Sequence, residues 1–347
     1  MTSKNSLPMT AAHQASSAGE SSRKLRSLPA RQMLRGGCVL AAALLGGCMA
    51  ASHAPTETAA PRDILIGDTA VYPESITSTA DGSIITGSMK GTLFLARPGE
   101  AIAKAWASPS AQDGQHPAIF GVLAHDASQT LWVCTSRNPF QGGGPVPTAL
   151  IALDLKSGTR KGVYEFPAPG GVCNDIAVAR DGSVYVTDTQ NARLLRLAQG
   201  ASALQVAGGD PQLGGADGLA FAGDGTLYVN SVTHNTLLRV ELRGDGSMGK
   251  VTELTLSQPI GGPDGLRPIS GNRFLQAEGA TGRITEVTIE GDTARIRTLR
   301  DGLDSSPGVT LVGRTAYAIE GKIGFLIDPK RKGQDPGPFK ILAIPLN

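Results

Sequence analysis

Aromatic side chains are scarce in this 347-residue sequence: Phe, Trp and Tyr together make up 4% of it. That excludes a core packed around rings. Helical periodicity is missing as well, which excludes a helical solenoid. The apolar run VLAAALL, just before Gly46, is too short to span a bilayer. No stripe of Lys and Arg is present, so nucleic acid is not an expected partner. Gly-x-Ser-x-Gly elbows, His-Glu-x-x-His helices and phosphate-binding Gly loops are also absent, and the chemistries that depend on them have no motif to rest on. The formal net charge of +2 misleads: the first 47 residues hold six Lys or Arg and one Glu, and the remainder, with 26 basic and 29 acidic side chains, sits near −3. What the chain has in abundance is turn residues, 45 Gly and 22 Pro, as in a turn-dense all-β protein.

Three stretches can be laid over one another almost letter for letter: YPESITSTADGSIITGS from Tyr72, CNDIAVARDGSVYVTD from Cys173 and ADGLAFAGDGTLYVNS from Ala216. Weaker copies begin at Ile119, Gly262 and Ser306, giving a period of about 43 to 54 residues. Each copy runs through an apolar strand, turns at a Gly-containing tip and returns in a second apolar strand, which is hairpin grammar. Several short strands per unit at this period predict an all-β, six-bladed β-propeller. Blades are expected at roughly 64–99, 100–158, 159–200, 201–246, 247–291 and 292–347. A ring of sheets must close or leave an edge that invites aggregation. The N-terminal segment DILIGDT, from Asp63, is therefore predicted to supply the outermost strand of the last blade.

Residues 1–47 read as an export signal, with Arg31 and Arg35 ahead of the apolar run and Leu45-Gly46-Gly47-Cys48 at its end. Those four residues resemble the bacterial lipobox, which implies cleavage before Cys48 and lipid attachment to its sulfur. Met49 implies, by the same resemblance, sorting to the outer membrane on the periplasmic side of the cell envelope. An ordinary cleaved signal with an incidental cysteine is the alternative, and Met33 is a candidate start. Residues 48–62 are small, polar and Pro-containing, hence a flexible tether; residues 63–347 form the propeller. Cys134 and Cys173 are the cysteines that remain. An exported chain permits a disulfide between them, but two cysteines do not report their own separation, and a buried thiol pair is equally open.

The inner strands of a propeller line its central channel, so residues in one register at their starts converge on one mouth. Those six positions are Glu74, Phe120, Asn174, Asp217, Asp264 and Pro307. Three carboxylates crowded on a narrow axis cost stability unless a cation sits among them. Glu74, Asn174, Asp217 and Asp264 are thus candidate ligands of one divalent cation: oxygen donors suit Ca²⁺ first, with Mg²⁺, Mn²⁺ or Zn²⁺ as alternatives. A cation there would polarise a carbonyl, and a carboxylate beside it could orient or deprotonate water. The competing reading takes Asp217-Gly218 and Asp264-Gly265 as turn dipeptides. Against it, the Asp-Gly pairs at Asp81, Asp181 and Asp224 already serve or adjoin the hairpin tips.

Over residues of about 64 to 347 the chain resembles the family of senescence marker protein (regucalcin), gluconolactonases and related lactone hydrolases, and more distantly the paraoxonases. The resemblance rests on Glu74 in YPESI, Asn174 in CNDIAV and Asp264 in GPDGL. It implies a divalent cation at the channel mouth, a lactone carbonyl attacked by water, and Asp264 as both ligand and catalytic base. A metal-bound carboxylate is a weak base, so positioning the water is the other role open to it. Departures bear on substrate. Ser75-Ile76 replace Gly-Pro after the Glu, Asp217 stands where the family generally has Asn, Val172 where sugar lactonases have Arg, and Phe120 where paraoxonase-like enzymes have His. Aldonolactones are accordingly disfavoured as substrates.

Further candidates for substrate contact, beside Phe120, are Arg137, His234, Glu278 and Glu320, with Lys90, on turns that face the same mouth. His116 could reach it as a base, and the insertion NPFQGGGPVPT after Arg137 could form a lid. The expected protein is a monomeric propeller, held to the membrane by its N-terminal lipid alone, that hydrolyses a lactone or ester-like small molecule. One rival is a propeller that binds a small molecule or an envelope protein without turnover. Another is a metal-independent, strictosidine-synthase-like propeller, which would need Glu278 or Glu320 acting alone.

Overall fold

The computed structural model describes residues 61–109, 117–140 and 146–346. The export signal, Met33, Cys48, nearly all of the tether, His116 and the centre of the NPFQGGGPVPT insertion lie outside the described residues. Runs of Val, Ile, Leu and Tyr bounded by Asp-Gly tips form antiparallel sheets, as β-branched residues and tight turns favour. Strand β1 (Ile64–Ile66) precedes a first sheet of β2 (Ile76–Ser78), β3 (Ile84–Thr86), β4 (Leu93–Ala96) and β5 (Ile102–Ala107). The second contains β6 (Ala118–His125), β7 (Thr130–Ser136), β8 (Ala149–Asp154) and β9 (Arg160–Glu165). The third contains β10 (Cys173–Val178), β11 (Val184–Asp188), β12 (Arg193–Leu197) and β13 (Gln205–Gly209). The fourth contains β14 (Ala216–Phe221), β15 (Leu227–Ser231), β16 (Thr236–Leu242) and β17 (Met248–Glu253). After the short β18 (Thr255–Leu256) comes the fifth: β19 (Pro263–Ser270), β20 (Arg273–Glu278), β21 (Arg283–Glu290) and β22 (Thr293–Arg300). The sixth holds β23 (Val309–Val312), β24 (Thr315–Ile319) and β25 (Lys340–Pro345), with a short helix α1 (Gly324–Ile327) between the last two.

The first strands touch one another in a closed cycle, β2 to β6, β10, β14, β19, β23 and back to β2. This is the arrangement of a six-bladed propeller. Strand β1 pairs antiparallel with β25, Ile64 opposite Ile341, and parallel with β5, Leu65 opposite Ile102. Blade limits differ from those read in the sequence. The fourth strands at Ile102–Ala107, Arg160–Glu165, Gln205–Gly209, Met248–Glu253 and Thr293–Arg300 each belong to the sheet that precedes them. The repeated letters mark only the first two strands; the outer ones carry alternating, half-exposed residues with nothing shared to show which unit owns them.

Apolar packing is divided into six clusters, one between each neighbouring pair of sheets. Several of the few aromatics stand at these junctions. Tyr185 meets Phe221 edge-on at 5.7 Å between the third and fourth sheets, and Tyr228 meets Phe274 at 5.5 Å between the fourth and fifth. Such contacts add about 0.5–1.5 kcal/mol each beyond the area they bury. Between the second and third sheets a disulfide joins Cys134 of β7 to Cys173 of β10, with Cα atoms 5.1 Å apart.

Linking residues 39 apart in sequence removes unfolded-state entropy worth up to about 4 kcal/mol. The Cys134→Ser/Cys173→Ser variant is expected to melt several degrees below wild type in scanning calorimetry. Reductant should lower the wild-type transition and leave that of the variant unchanged; a wild type indifferent to reductant would show that the bond contributes no stability.

Candidate functional site

The inner strands break register where the site residues sit. Pairing shifts between Ile119 and Gly121, Cys173 and Ile176, Ala216 and Leu219, and Pro263 and Leu266. Phe120, Asn174, Asp217 and Asp264 fall inside these β-bulges, which re-aim side chains out of the pleat. Asp217-Gly218 and Asp264-Gly265 therefore lie in strands, and their glycines serve close approach. A Cβ on Gly121 would collide with the Asn174 carbonyl of the next sheet, and one on Gly218 with the Asp264 carbonyl while standing 2.6 Å from Leu266 N. On Gly265 it would stand 3.0 Å from Pro307 O. Second-strand side chains donate to carbonyls at these breaks: Thr187 Oγ1 to Asp217 O at 2.8 Å and Asn230 Nδ2 to Asp264 O at 2.6 Å.

The register positions converge. Glu74, Phe120, Asp264 and Pro307 line a cavity of about 730 Å³ at the channel mouth. Asn174 and Asp217, 7% and 6% exposed, are buried and are not among its lining residues. Asn174 Nδ2 donates to Asp217 Oδ2 at 2.9 Å and to Thr189 Oγ1 at 3.0 Å, while the buried Asp217 Oδ1 has no partner. Burial, reinforced by the Asp217 charge, pushes the Glu74 carboxyl up to about 8. Burial and the nearby Asp175 charge raise Asp217 to about 7, against the opposing effects of hydrogen bonds from Asp264 and Asn174 and of the Arg267 charge. Burial, with Asp217 and Glu74 as repelling neighbours, holds Asp264 well above the ordinary carboxylate range. The cluster thus takes up protons when it stands alone. Among the described residues, no three or more His, Cys, Asp or Glu side chains are grouped so that they could hold a metal ion.

Deeper in the channel, Asp175 and Arg267 form a bidentate ion pair, Nη1–Oδ2 2.7 Å and Nη2–Oδ1 2.9 Å, and Arg267 Nη2 also donates to Val122 O at 3.2 Å. Arg267 carries no repeated letter that marks it in the sequence. The available signal is an arginine three residues after Asp264 in the same strand, where a buried cation requires an anion.

The other polar candidates are not among the residues lining the cavity. Glu278 is fully buried and ion-paired to Arg283 at 2.6 Å, and its Oε2 also accepts from Gly261 N and Thr281 Oγ1, both at 2.9 Å. It holds the β20–β21 turn together and is not available for substrate contact or solitary catalysis. Glu320 accepts from Asp304 N at 3.1 Å, and Lys90 is held by Asp68 at 2.7 Å. His234 and Arg137 are exposed outside the cavity. Of the cavity residues outside the repeated letters, Ile327 and Arg331 stand on the long 320–339 connection and Asp304 on the β22–β23 connection.

No protein-family model matches the chain, and no curated protein sequence does either. Solved structures match it in fold. The major allergen Mala s 1 of Malassezia sympodialis superposes with a TM-score of 0.63 at 14% identity, over 82% of this chain and 96% of that one. A proposed gluconolactonase gives 0.59 at 16% identity, over 83% and 95%. Virginiamycin B lyase of Staphylococcus aureus, in a catalytically inactive form with quinupristin, gives 0.55 at 14% identity, over 80% and 82%. The chain is a distant structural match to gluconolactonase-like and virginiamycin B lyase propellers, and at these identities the likeness shows the fold alone.

Two outcomes follow from the geometry. Gly218→Ala, whose new methyl group meets two backbone atoms of β19, is expected to lose about 3 kcal/mol or more of stability. Gly244→Ala, with open space around it, should melt like wild type; equal melting of all three proteins would contradict the close-approach account. The second outcome concerns pH. Glu74 and Asp217 are raised from 4.5 and 3.8 to about 8 and 7, so between those values the folded protein binds more protons than the unfolded chain. The stability they contribute is complete below about pH 4 and disappears as pH rises through 7 to 8. Metal-free protein should melt lower at pH 9 than at pH 5, and Glu74→Gln/Asp217→Asn should flatten that dependence.

Proposed function

We propose that this protein hydrolyses lactones or other ester-like small molecules at the mouth of its central channel. One divalent cation, Ca²⁺ first, would be held there by Glu74, Asn174, Asp217 and Asp264. The observation that carries this reading is the placement of Glu74 and Asp264 on a 730 Å³ cavity with the buried Asp217 as their charged neighbour, its Oδ2 held by Asn174 and its Oδ1 unpaired. The donor set fits such an ion in kind: oxygen only, acidic and short of compensating charge. When bound, the cation would supply Lewis-acid polarisation of a carbonyl.

The chain's own residues divide the remaining work. Asp264 borders the cavity and is the carboxylate that reaches a water beside the scissile bond; its role is to orient that water and accept its proton. The Asn174 amide fixes Asp217, and Glu74 completes the acidic floor from the first sheet. Phe120 and Pro307 close the mouth on apolar surface. In the same reading β1 is the strand that closes the ring, and the enzyme is a monomer in the cell envelope, lipid-anchored through Cys48. Likeness to a proposed gluconolactonase is in keeping with the reaction class.

The test combines metal analysis with lactone hydrolysis by wild type and Asp264→Asn, after chelation and after return of Ca²⁺, Mg²⁺, Mn²⁺ or Zn²⁺. One equivalent of metal, turnover lost on chelation and restored by one ion, and a loss of a hundredfold or more in the variant are expected. Protein that binds no metal and turns nothing over would leave the mouth as a binding surface only.

A further inference from the structure

Short turns join the second and third strands in most sheets, such as residues 189–192, 232–235 and 279–282 in the third to fifth. Two sheets depart from this. The second uses residues 137–148 and the sixth residues 320–339. These two connections bring the exposed apolar side chains to the cavity: Phe140, 39% exposed, from the first, and Ile327, 58% exposed, from the second. Ile323 lines the cavity too and stands one helical turn from Ile327, so both occupy one face of α1. Phe120, Met89 and Val232 extend the same apolar lining.

The sixth-sheet connection is tied down. Arg331 stacks over the Phe325 ring, 3.9 Å from its centroid, and bonds to Asp304 at 3.1 Å. Lys322 Nζ donates to the carbonyls of Pro336 and Pro338 at 2.7 and 3.0 Å. Several polar side chains of the wall are engaged within the protein: Arg331 with Asp304, Thr281 with Glu278, and Asn235 Oδ1 with Gly262 N. Those groups are taken from a polyhydroxylated ligand, whereas the apolar surface of Phe140 and Ile327 stays open.

We infer that the ligand of this cavity is a carbonyl compound carrying an apolar substituent, such as an alkyl-substituted lactone. Its chain lies against Phe120, Phe140, Ile323 and Ile327, and its carbonyl points to Glu74 and Asp264. That this ligand is a substrate rests on the hydrolase reading; the apolar seat is a binding property and is measured apart from it.

Calorimetric titration of the full chain with cyclopentanone and 2-hexylcyclopentanone, neither of which can be hydrolysed, is paired with hydrolysis of γ-butyrolactone and γ-decalactone. Each methylene that gains apolar cover tightens binding by up to roughly three- to fourfold. The hexyl ketone is expected to bind at least tenfold more tightly than the parent. Ile327→Ser and Phe140→Ser should each weaken the hexyl ketone threefold or more with melting temperature unchanged. Equal affinities, no detectable binding of the hexyl ketone, or variants indistinguishable from wild type would overturn the seat. Chain-dependent ketone binding without hydrolysis of either lactone would support the seat and remove the hydrolase reading alone. Hydrolysis of both lactones at equal kcat/KM, with equal ketone affinities, would remove the seat alone.

Discussion

Arg267 and Asp175 meet across the central channel with side chains only 7% and 4% exposed. Water cannot compensate either charge there, so loss of one partner would strand the other at a cost of about 3–5 kcal/mol. The pair joins the fifth sheet to the third, which are not neighbours in the ring, and the additional bond to Val122 O brings in the second. Three sheets are thereby set at fixed distance from one axis by a single guanidinium. The acid cluster sits above this bridge and feels it twice, since the Asp175 charge repels a proton's departure from Asp217 while the Arg267 charge favours it.

Around that bridge the inner strands pass so close that side chains give way to glycine at positions 121, 218 and 265. The bulges beside those glycines turn Phe120, Asn174, Asp217 and Asp264 away from the ordinary pleat, and Thr187 and Asn230 take up carbonyls at the break. Packing and site are consequently one feature. The glycine that permits a sheet to approach its neighbour adjoins the residue presented to the mouth.

The repeat made the ring legible because its shared letters fall on the inner two strands, the part of each sheet that faces the axis. A register position carried through that repeat reached the mouth, as Glu74, Phe120, Asp264 and Pro307 show. Residues away from the repeat were a different matter. Nothing near Glu278 distinguishes a turn carboxylate facing solvent from one folded under its own arginine. Arg267 resembles any strand arginine until the ring places Asp175 opposite it. Outer strands pair by backbone alone, so their letters do not say which sheet they join. The apolar face of α1 occurs once, and a reading built on repetition has no second copy against which to notice it.

The disulfide ends on Cys173, the residue immediately before Asn174, and its other half lies in the neighbouring sheet. Asn174 in turn holds Asp217. The covalent tie between the second and third sheets therefore ends one residue from the amide that holds Asp217. Protein produced in a reducing cytosol and protein produced in an oxidising compartment would share every amino acid yet differ in whether β10 is covalently held.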